Sequence, residues 1–97
     1  MSVSSIGKDC YRIDVTVPET VTATAGKVSS VMSSINNYVP ANTLPISVLH
    51  DMYHVSKQFN LMFYVSKWYS DYRVMVFNGG SDDVIISQNT ILHVLCA

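Results

Sequence analysis

The sequence has few charged residues, and this scarcity limits the kinds of partner it suits. Of 97 residues, 13% are Asp, Glu, Lys or Arg, against a usual share of about 25%. Six basic residues against seven acidic ones give a net charge of −1, so there is no excess of positive charge to attract nucleic acid or an anionic membrane surface. The 48% of hydrophobic residues argue against disorder. We expect a folded protein that binds neither nucleic acid nor membranes.

Cysteine is also scarce, which argues against a disulfide-bonded secreted domain. The two cysteines, Cys10 and Cys96, lie near opposite ends of the sequence, and two are too few for a secreted disulfide framework. The start of the sequence lacks the apolar segment of a signal peptide, and no apolar run approaches the roughly 18 residues of a membrane span. We expect one domain, residues 1–97, in a reducing compartment such as the cytoplasm, with both thiols reduced.

Five segments have the character of β-strands. Residues 10–17 alternate between apolar and polar side chains and are rich in β-branched residues, which is typical of a half-buried strand. Four further segments of similar character follow in the second half of the sequence: 61–68, 72–77, 84–87 and 91–96. Their short connections favour an antiparallel meander.

Two segments between these strands show helical periodicity. The first, residues 21–39, repeats apolar side chains at steps of three and four, namely Val21, Ala25, Val28, Met32, Ile35 and Val39. The second, residues 44–59, has Pro45 in its first turn and an apolar face of Val48, Leu49, Met52, Val55 and Phe59. The sequence thus predicts an α+β fold of order β-α-α-β-β-β-β, in which an antiparallel sheet of about five strands carries two helices on one face.

The predicted hairpin around residues 69–71 is rich in the side chains that bind proteins. Trp, Tyr and Arg dominate the energetics of protein interfaces, and a hairpin tip is exposed. An alternative is that the aromatic residues pair across the strands and only stabilise the hairpin. We interpret six residues as candidate partner-binding residues: Trp68, Tyr69, Tyr72, Arg73, Tyr64 and Lys67.

Two long stretches, residues 28–50 and 84–97, contain no Asp, Glu, Lys or Arg. Depletion of charge marks the buried centre of protein interfaces, although a neutral hydrated surface would have the same composition. We interpret residues 91–96 as an edge strand without the charges that normally prevent strand pairing. We therefore expect that strand to be covered or paired, either by another protein or by a copy of this chain.

A metal site is the remaining chemical possibility. His50 and His54 are four residues apart on the predicted second helix, a spacing that zinc ligands use, with Asp51 where zinc proteases have Glu. A catalytic zinc needs a third protein ligand, and no spacing identifies one, although His93 and Cys96 are available. The helix periodicity places both histidines opposite the apolar face, so a solvated helix surface is the simpler interpretation.

No sequence pattern indicates an enzyme. There is no Gly-x-Ser-x-Gly motif around a nucleophile. The loop at residues 78–83 lacks the Lys-Ser/Thr of a phosphate-binding loop and contains two carboxylates. We expect no catalytic residues and no cofactor.

Three functional hypotheses remain. The first is a non-enzymatic protein-binding module or small inhibitor, in the style of the compact accessory proteins that phages and viruses use to block host proteins. The second is a self-assembling structural subunit, such as a coat or scaffold component, because near-zero net charge favours association. The third is a small zinc-binding protein or enzyme built on His50 and His54.

Overall fold

The computed structural model describes all 97 residues and is mostly β, with 54% of the residues in strands. The nine strands are β1 (Ser2–Gly7), β2 (Cys10–Thr16), β3 (Val21–Ala23), β4 (Val28–Met32), β5 (Pro45–His50), β6 (Leu61–Trp68), β7 (Asp71–Asn78), β8 (Val84–Ile86) and β9 (Ile91–Cys96). Two single-turn 3₁₀ helices, Asn36–Tyr38 and Gln58–Asn60, are the only helical segments. No helix is long and apolar enough to cross a membrane.

The strands form three antiparallel sheets. A four-stranded sheet has the order β1-β2-β9-β5, a three-stranded sheet has the order β4-β7-β6, and β3 pairs with β8. Only two pairs, β1–β2 and β6–β7, are hairpins of consecutive strands. The other pairs join distant parts of the chain, so the fold depends on contacts that are remote in sequence.

The sheets share one hydrophobic core, built by strand alternation. In β2, Ile13 and Val15 are fully buried while the residues between them face outwards, and in β7 Val74 and Val76 are buried in the same way. Ile86 of β8 joins the same cluster of 16 buried apolar side chains. Each such Val or Ile stabilises the fold by roughly 1.5–3 kcal/mol.

The predicted α+β fold is wrong, and the first predicted helix is in fact two strands and a 3₁₀ turn. A turn in which the Lys27 N–H donates to the Thr24 carbonyl, with Gly26 at φ +73°, separates β3 from β4. Val28 of the predicted apolar stripe is half exposed, whereas Val31, outside that stripe, is buried. The Val and Thr residues of this segment favour strands, and its Val, Ser and Thr residues have low helix propensity; together these preferences outweigh the apolar periodicity.

The second predicted helix is also absent. Residues 45–50 form β5, and the chain then continues in an irregular segment up to the 3₁₀ turn Gln58–Asn60. Phe59, assigned to the apolar helix face, is 78% exposed. Pro45 fits the start of an edge strand as well as the first turn of a helix, so it could not separate the two alternatives.

The strands predicted in the second half of the sequence are confirmed, but their meander is wrong. Only β6 and β7 pair with each other, whereas β8 pairs with β3, and β9 lies between β2 and β5. Residues 91–96 are paired, but by strands β2 and β5 of this chain and not, as was expected, by another protein or a copy. The predicted edge is wrong, because β9 is a central strand. Its lack of charge reflects its place inside the sheet, covered by this chain itself.

The two cysteines are free thiols on opposite faces of the four-stranded sheet. Tyr11 is directly opposite Cys96 in the β2–β9 ladder, and residues opposite each other point to the same face. Cys10 precedes Tyr11 in β2 and therefore points to the other face. Cys96 is buried and Cys10 is half-buried.

Candidate functional site

The outward side of the β4–β7–β6 sheet is an exposed and largely apolar surface, which we call the outer sheet face. Strand alternation buries Phe63, Val74 and Val76 on the inner side of this sheet. The cross-strand register then identifies the residues whose side chains point to the opposite, outer side. Ten residues lie there: Val28, Ser30, Met62, Tyr64, Ser66, Trp68, Asp71, Arg73, Met75 and Phe77.

Three apolar side chains form a row across this face. Phe77 of β7 is directly opposite Val28 of β4 on one side and Met62 of β6 on the other. Val28 is 50% exposed, Met62 64% and Phe77 37%. Scattered exposed apolar residues are common, but a contiguous patch marks an interaction site. This row is therefore a candidate interaction surface.

Trp68 and Arg73 lie on the same face nearer the hairpin tip, with Tyr64 and Met75 between them and the row. Trp68 is 58% exposed, and the Arg73 guanidinium lies 5.9 Å from the centroid of its indole ring, close enough for a cation–π contact. Tyr64 is half-buried on the same face, opposite Met75. Three of the six residues predicted to bind a partner thus lie together on one surface.

Tyr69 is at the tip of the β6–β7 hairpin and is the most exposed aromatic residue, at 87%. Its backbone has φ +56°, which is uncommon for a bulky residue. Its ring meets the Trp68 ring edge-on, with centroids 5.6 Å apart. The tip is held by Asn36, whose Nδ2 donates to the Ser70 carbonyl at 2.6 Å and whose Oδ1 accepts the Tyr72 N–H at 2.7 Å.

The last two predicted binding residues point to the other side of the sheet. Lys67 and Tyr72 are directly opposite each other in the hairpin, and both point to the same side of the sheet as the buried Val74. Tyr72 packs against the core, and the Lys67 ammonium lies 5.4 Å from the centroid of its ring. Lys67 and Tyr72 therefore fit the alternative interpretation, in which residues pack across the strands and stabilise the hairpin, better than they fit a role in partner binding.

Sequence reasoning missed Val28, Met62 and Phe77 as part of the site. The alternation in residues 61–68 and 72–77 separated the two faces of the hairpin, but both faces are apolar, so the pattern did not show which one is buried. Val28 was assigned to a helix. Knowledge that β4 pairs with β7 was needed to bring these three side chains together.

A second feature is an open cleft of about 440 Å³ between β5 and β6. Its polar lining comes from His50, Asp51, Gln58 and His93, and its apolar lining includes Met62. His93 is hydrogen-bonded through both ring nitrogens: its Nδ1 lies 2.7 Å from Asp14 Oδ1, and its Nε2 lies 2.8 Å from Asp51 Oδ2.

The protonation state of His93 follows from this geometry. Ionised carboxylates only accept hydrogen bonds, so two of them are satisfied together only by an imidazolium that donates from both nitrogens. The hydrogen bonds to Asp51 and Asp14 raise the pKa of His93, and the hydrogen bond to His93 lowers the pKa of Asp14. Arg12 adds an ion pair to Asp14 at 3.0 Å.

The lining of the cleft includes no Ser, Thr or Cys side chain, and both ring nitrogens of His93 are hydrogen-bonded to carboxylates. The Asp14–His93–Asp51 group fastens the segment after β5 to the neighbouring strand β9.

His50 and His54 do not share a helix face, because that helix is absent. His50 ends β5, its Nδ1 accepts the Met52 N–H at 3.2 Å, and its ring packs 5.2 Å from the Phe63 ring. Burial lowers the pKa of His50. No three His, Cys, Asp or Glu side chains are placed to hold a metal ion, so the spacing on which the zinc hypothesis depended is not realised.

Comparisons of the chain with protein families, with characterised proteins and with solved structures found no match.

Proposed function

We propose that this chain is a non-enzymatic protein-binding module that binds its partner through the outer sheet face. The observation that carries the proposal is the row of Val28, Phe77 and Met62, with Trp68 and Arg73 on the same face. Aromatic residues, Met and Arg are the types enriched at interfaces. A rigid three-stranded sheet presents them with little loss of entropy on binding.

The dimensions and charge of the face indicate the kind of partner. The sheet has three strands about 4.8 Å apart, two of eight residues and one, β4, of five, so its surface is at most roughly 14 Å by 27 Å. That is smaller than the roughly 800 Å² that each partner of a standard complex buries, so the contact extends over the Tyr69 tip. We propose a folded protein with an apolar patch and an acceptor group opposite Arg73. If the partner is a host enzyme, covering such a patch is how the module would inhibit it.

A charge placed in the row tests the proposal. Met62→Lys puts an ammonium group in the apolar row, and Ile85→Lys is its control, because Ile85 is a similarly exposed strand residue on β8, away from the face. Proteins captured from source cells by the parent chain and by Ile85→Lys, but lost with Met62→Lys, are the specific partners.

The affinity of a purified partner then gives the quantitative test. We expect Trp68→Ala to weaken binding by about 2 kcal/mol or more, as is typical of a buried interface tryptophan, without lowering the melting temperature by more than a few degrees. Equal capture by parent, Ile85→Lys and Met62→Lys would reject the outer sheet face as the binding surface.

A further inference from the structure

Strand β1 is an edge strand that nothing in the molecule covers. All six of its residues are exposed, and it pairs only with β2. A strand in this position presents a free row of backbone N–H and C=O groups. Val3 lies opposite the buried Ile13, on the inner side of the sheet, yet it remains 43% exposed.

The other edges of the two larger sheets have features that hinder strand pairing, whereas β1 has almost none. Edge strands are normally protected by Pro, by Lys or by a bulge. Strand β5 begins at Pro45, β4 has a register shift between Ser30 and Met32, and β6 carries Lys67. Residues 1–7 include neither a charged side chain nor a proline. The one irregularity of β1 falls at its hairpin end, after Ser5.

We infer that two copies of this chain associate by antiparallel pairing of their β1 strands, which joins two four-stranded sheets into one of eight strands. The occupant is a second copy because the segment is self-complementary: it has no charged side chain to repel its own copy, and the net charge of −1 adds little repulsion over longer distances. Pairing about a two-fold axis is the usual symmetry of homodimers.

The geometry selects the register of this pairing. The two-fold axis is perpendicular to the sheet, so each residue is opposite one that points to the same face. The regular part of β1 is Ser2–Ser5, before the irregularity, and a register centred on Val3 uses this part. It places Val3 opposite Val3 of the second copy and Ser2 opposite Ser4. A cross-strand pair of β-branched residues is favourable, and it covers an apolar side chain that the monomer leaves exposed.

The contact is small, so the dimer is in equilibrium with the monomer. One strand pair lies at the low end of interface sizes, and we expect the dimer fraction of the parent chain to rise with concentration in sedimentation velocity. Val3→Lys places two ammonium groups directly opposite each other, which is unfavourable, and we expect it to raise the dissociation constant of the dimer by about tenfold or more.

Val28→Lys is the matched control. It makes the same substitution at a similarly exposed edge-strand valine, but on the outer sheet face. We expect Val28→Lys to dimerise like the parent chain, even though it weakens binding of the partner under the proposed function. The two proposals therefore fail separately. A parent chain that stays monomeric at millimolar concentration overturns the β1 dimer. The β1 dimer is also overturned if the parent chain dimerises, Val28→Lys abolishes the dimer and Val3→Lys keeps it.

A cysteine variant keeps the inference testable if Val3→Lys does not fold. In a Cys10→Ser background, Val3→Cys places two thiols opposite each other across the axis, within the Cα separation that a disulfide spans. Mild oxidation is expected to give a covalent dimer with Val3→Cys, several-fold faster than with Val28→Cys in the same background. Equal cross-linking rates for the two variants would show that β1 is not the interface.

Discussion

The Nε2 atom of His93 lies 2.8 Å from Oδ2 of Asp51, and this contact fastens the segment after β5 to strand β9. Because Asp14 is hydrogen-bonded to the other ring nitrogen, the Asp14–His93–Asp51 group can form both of its hydrogen bonds only while His93 is charged. Its contribution to stability therefore depends on pH.

The direction of this dependence follows from the two pKa shifts. The pKa of His93 is raised above its ordinary 6.5, so its contribution is complete below that value and is lost as the pH rises through the folded-state pKa. The pKa of Asp14 is lowered below its ordinary 3.8, so its contribution is complete above that value and is lost as the pH falls through the folded-state pKa. The group stabilises most between these two limits.

Urea unfolding of the parent chain and of His93→Gln tests this prediction. We expect the parent to have its largest advantage in free energy of unfolding at about pH 5 and to lose it towards about pH 9. An NMR titration of Asp51→Asn should show a lower pKa for His93, because the hydrogen bond to Asp51 is the largest cause of the shift. An advantage that stays constant over this range would contradict the proposed protonation state.

The sequence predicted strands better than their partners, because alternation is a local property. Residues 61–68 and 91–96 form strands at the predicted positions, since their β-branched and aromatic residues and their flanking turns agree. The pairing of β9 with β2 and β5 joins residues up to 85 positions apart, Tyr11 and Cys96, and nothing in a local pattern specifies it.

The first helix was wrongly predicted because the apolar spacing of residues 21–39 was given more weight than the strand propensity of its Val and Thr residues. The residues of β3 and β4 that are buried in the core, Ala23 and Val31, lie outside the predicted apolar stripe. Local patterns were also insufficient for the site. Trp68, Tyr69 and Arg73 were identified by residue type, but the role of Tyr72 depends on which side of the hairpin faces the core.

Asn78 is the only fully buried polar residue, and we expect it to be essential for stability. Its Nδ2 donates to the carbonyls of Ala23 and Asp82, and its Oδ1 accepts the Gly80 N–H at 2.9 Å. Asn78→Leu leaves these three backbone groups without a partner. We expect a loss of about 3 kcal/mol or more in the free energy of unfolding. Gln88→Leu, at an exposed turn, should stay within about 0.5 kcal/mol of the parent. Similar unfolding free energies for the two variants would contradict this role.

Asn36 holds the hairpin tip through two hydrogen bonds, and its removal tests how rigid the proposed binding surface needs to be. Asn36→Ala leaves the Tyr72 N–H and the Ser70 carbonyl to solvent. We expect a loss of about 1–2 kcal/mol in stability and faster hydrogen exchange at the Tyr72 amide. If the tip contributes to partner binding, affinity should fall as well, although Asn36 lies outside the outer sheet face. Unchanged exchange at Tyr72 would show that the hairpin is rigid without Asn36.

The two thiols should differ in reactivity and should not pair within one chain. The thiolate is the reactive form, and burial both shields Cys96 and raises the pKa of its thiol. A thiol reagent should therefore modify Cys10 quickly and Cys96 only at the rate of unfolding. Because the side chains lie on opposite faces of the sheet, mild oxidation of the native protein should leave both free. An intramolecular Cys10–Cys96 disulfide would require the β2–β9 register to shift by one residue, and its formation would contradict the strand pairing on which the whole core depends.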